Sequence, residues 1–248
     1  MKNAPVISFS FSSGNLGVDP EVFERYTKWV NEVYMPMILN VPEVRGMDAF
    51  DIFRPTLQYP DAGVLSHYQN ARDLENARKN PQWAAITPDV ASWIKRDIRD
   101  YMWSAVFELI KSYRSGSAYP ASKLDTMIEN APFISLEAFD LPPEEEQKFS
   151  EWFDGYGSNI FLPLFIKLPG LKGYDWYRHV GFGRFQETKE RNYPKYLSII
   201  YFENTEAFDN FVKSPELASF FRAMRNVFSL GLPYKWYVQF QLRKSWRK

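Results

Sequence analysis

The sequence predicts an α+β fold in which one β-α-β-β-α-β unit occurs twice. Three observations support this: short segments recur in both halves, hydrophobic alternation marks strands, and Asp, Asn or Ser followed by Pro or Ala marks helix starts. The recurrence is clearest where Asn-Ala-Pro-Val-Ile-Ser at 3–8 returns as Asn-Ala-Pro-Phe-Ile-Ser at 130–135. Further matches, such as Lys-Asn-Pro at 79–81 with Lys-Ser-Pro at 213–215, keep the same order along the chain. Collinear matches of this kind indicate a tandem duplication.

The chain of 248 residues therefore divides into a first repeat at 1–114, a linker at 115–129 and a second repeat at 130–248. Ser, Gly and Pro near the start of the linker favour an irregular segment. One insertion, at 183–192, occurs only in the second repeat. An insertion in one copy of a duplication is expected to form a lid or rim.

Each repeat begins with a strand followed by a helix. Apolar residues alternate with serine along 6–11, which predicts the strand. Asp19 and Pro20 predict the helix start, as N-cap and first helical residue. Pro36, and Pro163 in the second repeat, are expected to bring this helix towards its end.

The remaining elements follow in the same order. Strands are predicted at 45–53 and 63–68, a helix follows Asn70 and restarts at Pro81, and a last strand lies at 104–110. The counterparts are strands at 172–180, 197–202 and 237–243, with helix starts at Asn204 and Pro215. This order is that of the ferredoxin-like unit.

An antiparallel sheet with helices on one face leaves its other face bare. Two tandem ferredoxin-like repeats can bury those faces against each other, so we expect an intrachain pseudo-two-fold α/β barrel. The positions assigned to the bare faces mix polar and apolar residues, which predicts a partly polar interior. These positions are Ser8, Ser10, Val106, Glu108, Ser135, Glu137, Gln239, Gln241 and Arg243.

Composition excludes several classes of function. The 30 basic and 30 acidic residues balance, so no nucleic-acid or membrane-surface partner is expected. Cysteine is absent, which excludes disulfides and thiolate chemistry. The chain start lacks a signal-peptide pattern and no apolar run reaches membrane-span length, so a cytoplasmic protein is expected. The aromatic content of 18% has two interpretations: a bulky core, or a ring-lined cavity for an apolar or aromatic ligand.

The two histidines are candidate general bases. His67 aligns with Tyr201 of the second repeat, and His179 aligns with Ile52 of the first. Because neither histidine is duplicated, neither is required by the repeat as such, and histidine titrates near neutral pH. The alternative is a half-buried strand histidine that is hydrogen-bonded to a neighbour.

Charged and aromatic residues complete the candidate set. Asp48 and Asp175 occupy the same strand position in both repeats, which fits either a raised-pKa acid or a structural role such as pairing with Arg54. Arg54 and Arg178 could bind a carboxylate or enolate oxygen, or be ordinary strand-end charges. Trp176 is assigned to the substrate pocket.

Two motifs carry a resemblance to a known family. Tyr34-Met35-Pro36 with Val-Pro-Glu-Val-Arg-Gly at 41–46 recurs as Phe161-Leu162-Pro163 with Leu-Pro-Gly-Leu-Lys-Gly at 168–173. The chain thereby resembles the dimeric α/β-barrel superfamily in its fused, two-repeat form, over nearly its whole length. The resemblance implies a fold and leaves the activity open, because the superfamily includes cofactor-free monooxygenases, polyketide cyclases, muconolactone-type isomerases, haem enzymes and ligand-binding modules. Many members have histidine where this chain has Tyr34 and Phe161, and of these only Tyr34 can transfer a proton.

We therefore expect a cofactor-independent enzyme that uses proton transfer on an apolar or aromatic carbonyl metabolite, of lyase, isomerase or cyclase type. His67 or His179 would be the base, and Tyr34, Tyr201 or an arginine would stabilise the oxyanion. The alternatives are a non-enzymatic small-ligand-binding protein, or a haem-binding or oxygen-using relative with a histidine as axial ligand. No metal-site spacing is present, and the chain is expected to be a monomer with its own barrel or a homodimer.

Overall fold

The computed structural model describes residues 5–14, 19–54, 62–94, 99–115, 117–118, 132–141, 143–182, 193–227 and 234–247. The predicted lid or rim at 183–192 lies outside the described residues. The same holds for the predicted linker, apart from residues 115 and 117–118.

The predicted order of elements is confirmed in both repeats. The strands of the described residues are β1 Val6–Gly14, β2 Gly46–Ile52, β3 Ala62–Tyr68, β4 Arg99–Arg114, β5 Ser117–Ala118, β6 Phe133–Phe139, β7 Leu171–Phe182, β8 Tyr196–Phe202 and β9 Tyr234–Arg247. The α-helices are α1 Pro20–Trp29, α2 Met35–Leu39, α3 Ala71–Lys79, α4 Pro81–Ile94, α5 Pro143–Trp152, α6 Leu162–Phe165, α7 Thr205–Lys213 and α8 Pro215–Val227. A π-helical segment, Val30–Tyr34, joins α1 to α2, and a second, Phe153–Phe161, joins α5 to α6.

The helix starts lie where side-chain caps predict them. Asp19 Oδ1 accepts a hydrogen bond of 2.8 Å from the backbone N–H of Glu21. Asn70 and Asn204 accept from backbone N–H groups in the first turns of α3 and α7, at 3.0 and 2.8 Å. These contacts satisfy N–H groups that have no partner inside a helix, so local sequence is sufficient to position the helix starts.

The prediction that Pro36 and Pro163 bring the first helix of each repeat towards its end is confirmed, because the helix ends at Leu39 and at Phe165. Both prolines lie near the start of a further helical segment, α2 or α6, that continues the same helix. A π-helical segment precedes each of them. A wider turn changes which carbonyl faces the proline ring, so the helix continues where regular α geometry would produce a clash.

The strands form a single hydrogen-bonded order, β1-β3-β2-β9-β6-β8-β7-β4-β5, and β4 also pairs with β1. The eight longer strands thus make a closed cycle, which is the strand connectivity of a barrel. Pairings such as β1 with β3 and β6 with β8 are antiparallel. The predicted α+β class with tandem ferredoxin-like repeats is confirmed.

The chain forms two compact units whose boundaries differ from those of the sequence repeats. Unit 1 comprises Met1–Glu108, Val180–Arg191 and Leu242–Lys248, and unit 2 comprises Leu109–His179 and Asn192–Gln241. The end of β4 therefore belongs to unit 2, and the end of β9 belongs to unit 1. In each repeat, the end of the last strand therefore lies in the unit that contains most of the other repeat.

In unit 1, the predicted assignment of strand faces is wrong. Val6 and Val106 pack with Ile38 of α2 in one buried core cluster, which identifies the face that the helices cover. Ser8 and Ser10 alternate with Ile7 and Phe9 and so share the face of Val6, on the helix side. The opposite face of β1 carries Ile7, Phe9 and Phe11, which are at most 1% exposed. The face away from the helices is therefore buried as well, so alternation alone does not identify the helix-covered face.

Unit 2 shows the same reversal. Phe133 packs against Phe208 of α7 at 5.1 Å between ring centroids, and Phe139 packs against Phe149 of α5 at 6.0 Å. Ser135 and Glu137 lie between these phenylalanines on β6 and share their helix-covered face. Gln239 and Gln241 on β9 pair with Ser135 and Phe133, so they lie on that face too.

Candidate functional site

A group of polar side chains lies on the helix-covered face of the unit 2 sheet. On this face Glu137 lies opposite Ser198 of β8 on one side and Tyr237 of β9 on the other. Ser135 lies opposite Gln239. We call these five residues the unit 2 patch: Ser135, Glu137, Ser198, Tyr237 and Gln239.

Glu137 is the titratable centre of the patch. The residue keeps part of its surface exposed, while its carboxyl group is enclosed by protein atoms. Burial raises the pKa of Glu137 to about 7, and a hydrogen bond of 3.0 Å donated by Ser198 Oγ offsets this only in part. A carboxyl group with this pKa exchanges protons at neutral pH, as a general acid or base requires.

Aromatic rings border the patch. Trp176 on β7 lies directly across from Ser198, so it stands two strands from Glu137 on the same face. The Trp176 ring is 5.0 Å from that of Phe153 and 5.1 Å from that of Phe139. These rings keep water away from one side of the patch, which is consistent with the raised pKa of Glu137. Trp176, predicted as a substrate-binding residue, is 5% exposed.

Two hydrogen-bonding atoms of the patch are buried and have no partner in the described part of the chain. They are Ser135 Oγ and Gln239 Nε2. The Ser135 hydroxyl also interacts with the hydroxyl of Tyr237, which lowers the pKa of Tyr237 in part. Burial, together with the charge of Glu137, raises the pKa of Tyr237, so its hydroxyl stays protonated. A buried donor without a partner costs free energy, so these two atoms are candidates for contact with a ligand.

The equivalent positions of unit 1 lack these features. Ser10 and Ser104 stand where unit 2 has Glu137 and Tyr237. Their hydroxyl oxygens are 2.8 Å apart and form a hydrogen bond with each other. Val106 stands in place of the glutamine amide and packs in the core. The two repeats have therefore diverged at this face, and only the set in unit 2 combines a titratable carboxyl group with donors that lack partners.

Asp48 is the centre of a second polar group, in unit 1 and on the sheet face away from the helices. Its carboxylate, 0% exposed, lies 2.6 Å from His67 Nε2 and accepts from Arg247 Nη2 at 2.7 and 2.9 Å. Ser245 also donates to it. Burial alone would raise the pKa of Asp48, but His67, Arg247 and Ser245 outweigh it and lower that pKa. We call these four residues cluster 1.

Asp175 is the centre of the matching group in unit 2, which we call cluster 2. Arg114 donates to its two carboxylate oxygens at 2.5 and 3.0 Å, Ser112 at 2.6 Å and Tyr201 at 2.8 Å. Burial would lower the pKa of Arg114, but Asp175 raises it. Burial, followed by the charge of Asp175, raises the pKa of Tyr201 well above its ordinary value. Tyr201 therefore acts as a hydrogen-bond donor here.

The two clusters share their Asp, Ser and Arg and differ only where His67 replaces Tyr201. The expected pairing of Asp48 with Arg54 is not found. Arg54 is exposed and lies 4.9 Å above the ring of Phe53, while Arg247 takes the role of counter-ion. The raised-pKa alternative for Asp48 is likewise not supported.

The structure places the other predicted site residues apart from these clusters. His179 is half-buried, and its ring stacks on that of Tyr193 with centroids 5.7 Å apart. Tyr34 is half-buried in the first π-helical segment and stacks on Trp29 at 5.3 Å. Arg178 is exposed.

Sequence reasoning did not single out Glu137 or the two arginines as site residues. The arginines had a visible signal, because Ser-x-Arg at 112–114 recurs as Ser-x-Arg at 245–247. The signal for Glu137 is a carboxylate in a strand where the other repeat has Ser10. Its significance depends on which face the helices cover.

Within the described residues, no group of three or more His, Asp or Glu side chains is arranged to hold a metal ion. None of the described helices is long and apolar enough to cross a membrane.

No protein-family model matches the sequence, and no curated protein matches it. Similarity appears with solved structures. An anthrone oxidase-like protein superposes with a TM-score of 0.62 at 10% identity, over 99% of this chain and 94% of that one. A Fusobacterium nucleatum protein, provisionally named a monooxygenase, superposes with a TM-score of 0.59 at 12% identity, over 100% and 96% of the two chains.

A protein provisionally named a chlorite dismutase superposes with a TM-score of 0.56 at 9% identity, over 98% of this chain and 96% of that one. Similarity at these identities establishes the fold and leaves the activity open. It confirms the tandem form of the ferredoxin-like, dimeric α/β-barrel fold that the sequence motifs implied.

Proposed function

We propose that this protein is an enzyme that moves a proton on an apolar or aromatic carbonyl compound, with Glu137 as the general base and no cofactor required. One observation carries the proposal: the Glu137 carboxyl group lies on the helix-covered face of β6 and accepts a hydrogen bond of 3.0 Å from Ser198, where burial raises its pKa to about 7. A base is most effective when its pKa is close to the working pH.

The chemistry follows from the patch. The Glu137 carboxylate removes a proton from the carbon next to the carbonyl group, and the C–H electron pair moves onto the carbonyl oxygen as an enolate. Ser135 and Gln239 donate hydrogen bonds to that oxygen, which stabilises the developing charge. Protonated Glu137 then returns the proton to a different carbon. Alternatively, the enolate carbon bonds to a second carbonyl carbon, the electron pair of that C=O π bond moves to its oxygen, and this oxygen takes the proton from Glu137. These outcomes correspond to isomerisation and cyclisation.

This proposal moves the base from the predicted histidines to Glu137. Tyr201 and His67 occupy equivalent positions in the two clusters. Tyr201 contacts Asp175 as His67 contacts Asp48. A contact that both repeats retain with different side chains favours a role in stability. The catalytic roles predicted for His67, His179, Tyr34 and Tyr201 stay predictions.

The haem alternative can be compared with the surroundings of His67, one of its two candidate axial ligands. An axial histidine needs a ring nitrogen that can bind iron. The Nε2 atom of His67 is 2.6 Å from Asp48, and the residue is 5% exposed, so binding iron through that atom would break a buried pair. His67 therefore does not fit the group, and we derive no step through haem.

A ligand-binding protein without turnover is the second candidate function. The observation that favours it is the pair of buried donors, Ser135 and Gln239, which need only an acceptor and no titration. Binding without proton exchange would identify this alternative.

The test is hydrogen–deuterium exchange at the carbon next to the carbonyl group, followed by NMR in D₂O with a panel of aromatic ketones and diketones. The protein should accelerate exchange, and Glu137→Gln should reduce the rate by about 10²-fold or more while binding persists. Glu203→Gln is the matched control, because that side chain is 62% exposed and lies at the end of β8. Wild-type exchange rates in Glu137→Gln would refute the proposal. Oxygen uptake in the same samples separates an oxygenase from an isomerase or cyclase.

A further inference from the structure

An exposed apolar stripe runs along the first helix of the second repeat. Tyr156 and Ile160 lie in the second π-helical segment and Leu164 lies in α6, at a spacing of four residues that places them on one side of the helix. Each of the three is at least 40% exposed. We call these three residues the unit 2 stripe. Adjoining apolar side chains that stay exposed mark a surface for interaction with another molecule.

Opposite charges flank the stripe. Glu151 in α5 lies five residues before Tyr156, Lys167 lies three residues after Leu164, and both charged side chains are exposed. The backbone N–H of Lys167 donates to the carbonyl of Leu164 at 3.1 Å, so the helical turn continues to the lysine. At no more than 1.5 Å per residue, the two charges are about 20 Å apart along the helix. An ion pair between them is therefore possible only across two molecules.

Ile160 lies near the middle of this arrangement, which gives it the symmetry of a two-fold contact. When a second copy of the helix lies antiparallel across the first, Ile160 meets Ile160 and Tyr156 meets Leu164. Glu151 of each copy then lies beside Lys167 of the other. Such a self-complementary surface is what an isologous dimer requires.

Gly155 is an independent observation on the same helix. It is exposed, a Cβ atom at this position would meet no atom within 4 Å, and its backbone does not need a positive φ. Gly157 differs, because a Cβ atom there would lie 2.7 Å from the ring of Trp152. Glycine weakens a helix relative to alanine, and the described part of the chain offers no reason for it at Gly155. A second helix that approaches closely provides one.

The corresponding helix of the first repeat lacks the charge pattern. Aligned through the aromatic-x-Pro motif, Val33 stands in place of Ile160, and Asn40 stands in place of Lys167. Val33 is exposed, but Asn40 carries no charge. An antiparallel pair of these helices would therefore form no matching ion pairs, which makes the first repeat an internal control.

From this apolar stripe with opposite charges at its two ends, we infer that the protein forms a homodimer in which the unit 2 stripe of one copy packs antiparallel on that of a second copy. The inference is independent of the proposed activity. The contact uses one helix from each copy, so its area lies at the low end for specific association. We therefore expect a dimer that dissociates in the micromolar range.

Sedimentation velocity from about 1 µM to about 1 mM protein measures this association. The wild-type protein should dimerise, and Ile160→Asp should weaken the dimer by at least about 100-fold, because it places two carboxylates against each other at the two-fold axis. Val33→Asp is the matched control. It makes the same change at the equivalent exposed position of the first repeat and should leave the dimer unchanged.

Charge reversal gives a test that misfolding cannot imitate. Glu151→Lys and Lys167→Glu should each weaken the dimer by at least about 10-fold, because like charges then meet across the contact. An equimolar mixture of the two variants should restore it, since one copy then carries two lysines and the other two glutamates at the flanking positions. Circular dichroism checks that each variant folds.

Three results would overturn the inference. The first is a wild-type protein that stays monomeric up to about 1 mM. The second is a dimer that Ile160→Asp leaves intact. The third is a mixture of the two charge-reversal variants that associates no more strongly than either variant alone.

Discussion

Arg114 binds Asp175 through two hydrogen bonds of 2.5 and 3.0 Å, although the two residues come from different sequence repeats. Arg247 and Asp48 form the reciprocal pair, at 2.7 and 2.9 Å. Both aspartates are fully buried, so each needs its counter-ion in place. The last strand of each repeat thus supplies the charge that the other repeat requires.

Removing an arginine should destabilise the protein unequally in the two clusters. Arg114→Met leaves Asp175 buried without its counter-ion, and we expect a loss of about 3–5 kcal/mol in the free energy of unfolding. Arg247→Met should cost less, because its side chain is 19% exposed and His67 also faces Asp48. Urea unfolding measures both losses, and an equal or reversed order would contradict this assignment.

A second substitution should rescue the first. Arg114→Met combined with Asp175→Leu removes both charges, and replacing a buried ion pair by apolar residues is often neutral or stabilising. The double variant should therefore regain most of the lost stability in a double-mutant cycle. Additive losses would show that packing, rather than charge, explains the single-variant effect.

Glu137 should make stability depend on pH in a defined direction. Its pKa rises from 4.5 to about 7 on folding, so between these values the folded protein holds a proton that the unfolded chain has released. Stability from this group is present below pH 4.5 and is lost as pH rises to 7, by at most about 3 kcal/mol, and by less where water screens the carboxyl group. Glu137→Gln should therefore gain stability relative to wild type between pH 5 and 8, measured by urea unfolding at each pH. A pH-independent difference between the two proteins would argue against a raised pKa.

The histidines provide a test of the alternative base. We expect the double variant His67→Gln, His179→Gln to retain the α-proton exchange rate within about threefold, because Glu137 performs the transfer. His67→Tyr, which recreates the composition of cluster 2, should also retain it. If the double variant exchanges protons about 10²-fold more slowly while circular dichroism shows an intact fold, a histidine is the general base.

The helix caps should contribute similarly in the two repeats. Asn70→Ala and Asn204→Ala each remove an acceptor for a first-turn N–H, so each should cost about 1 kcal/mol. Thermal unfolding of the two variants and of their combination tests this. A negligible effect in one repeat would show that water replaces that cap.

The order of the elements and most of their boundaries can be predicted from local sequence. Asp19, Asn70 and Asn204 start helices through contacts a few residues away, and strands are recognisable from a period of two. Such interactions are local, so they can be predicted without knowledge of the fold. The duplication supports these predictions further, because each element occurs twice in the sequence.

Which strand face the helices cover depends on tertiary packing and cannot be predicted from local sequence. In β1 the side that carries Ile7 and Phe9 is more buried than the helix-covered side that carries Ser8 and Ser10. Burial of apolar residues therefore does not show which side the helices cover. A period of two is unchanged when the faces are exchanged. The position of Glu137 under the helices, and hence its raised pKa, follows from that choice.

The counter-ions were also decided by tertiary structure. β4 and β9 extend to Arg114 and Arg247, beyond the predicted ends at residues 110 and 243. Two consecutive residues are exposed in each strand, Ile110 and Lys111 in β4 and Arg243 and Lys244 in β9. This interrupts the period of two, so the last residues of each strand are not recognised from the pattern. Pairing of Arg114 with Asp175 joins residues far apart in the chain, and the local pattern around neither of them specifies the other.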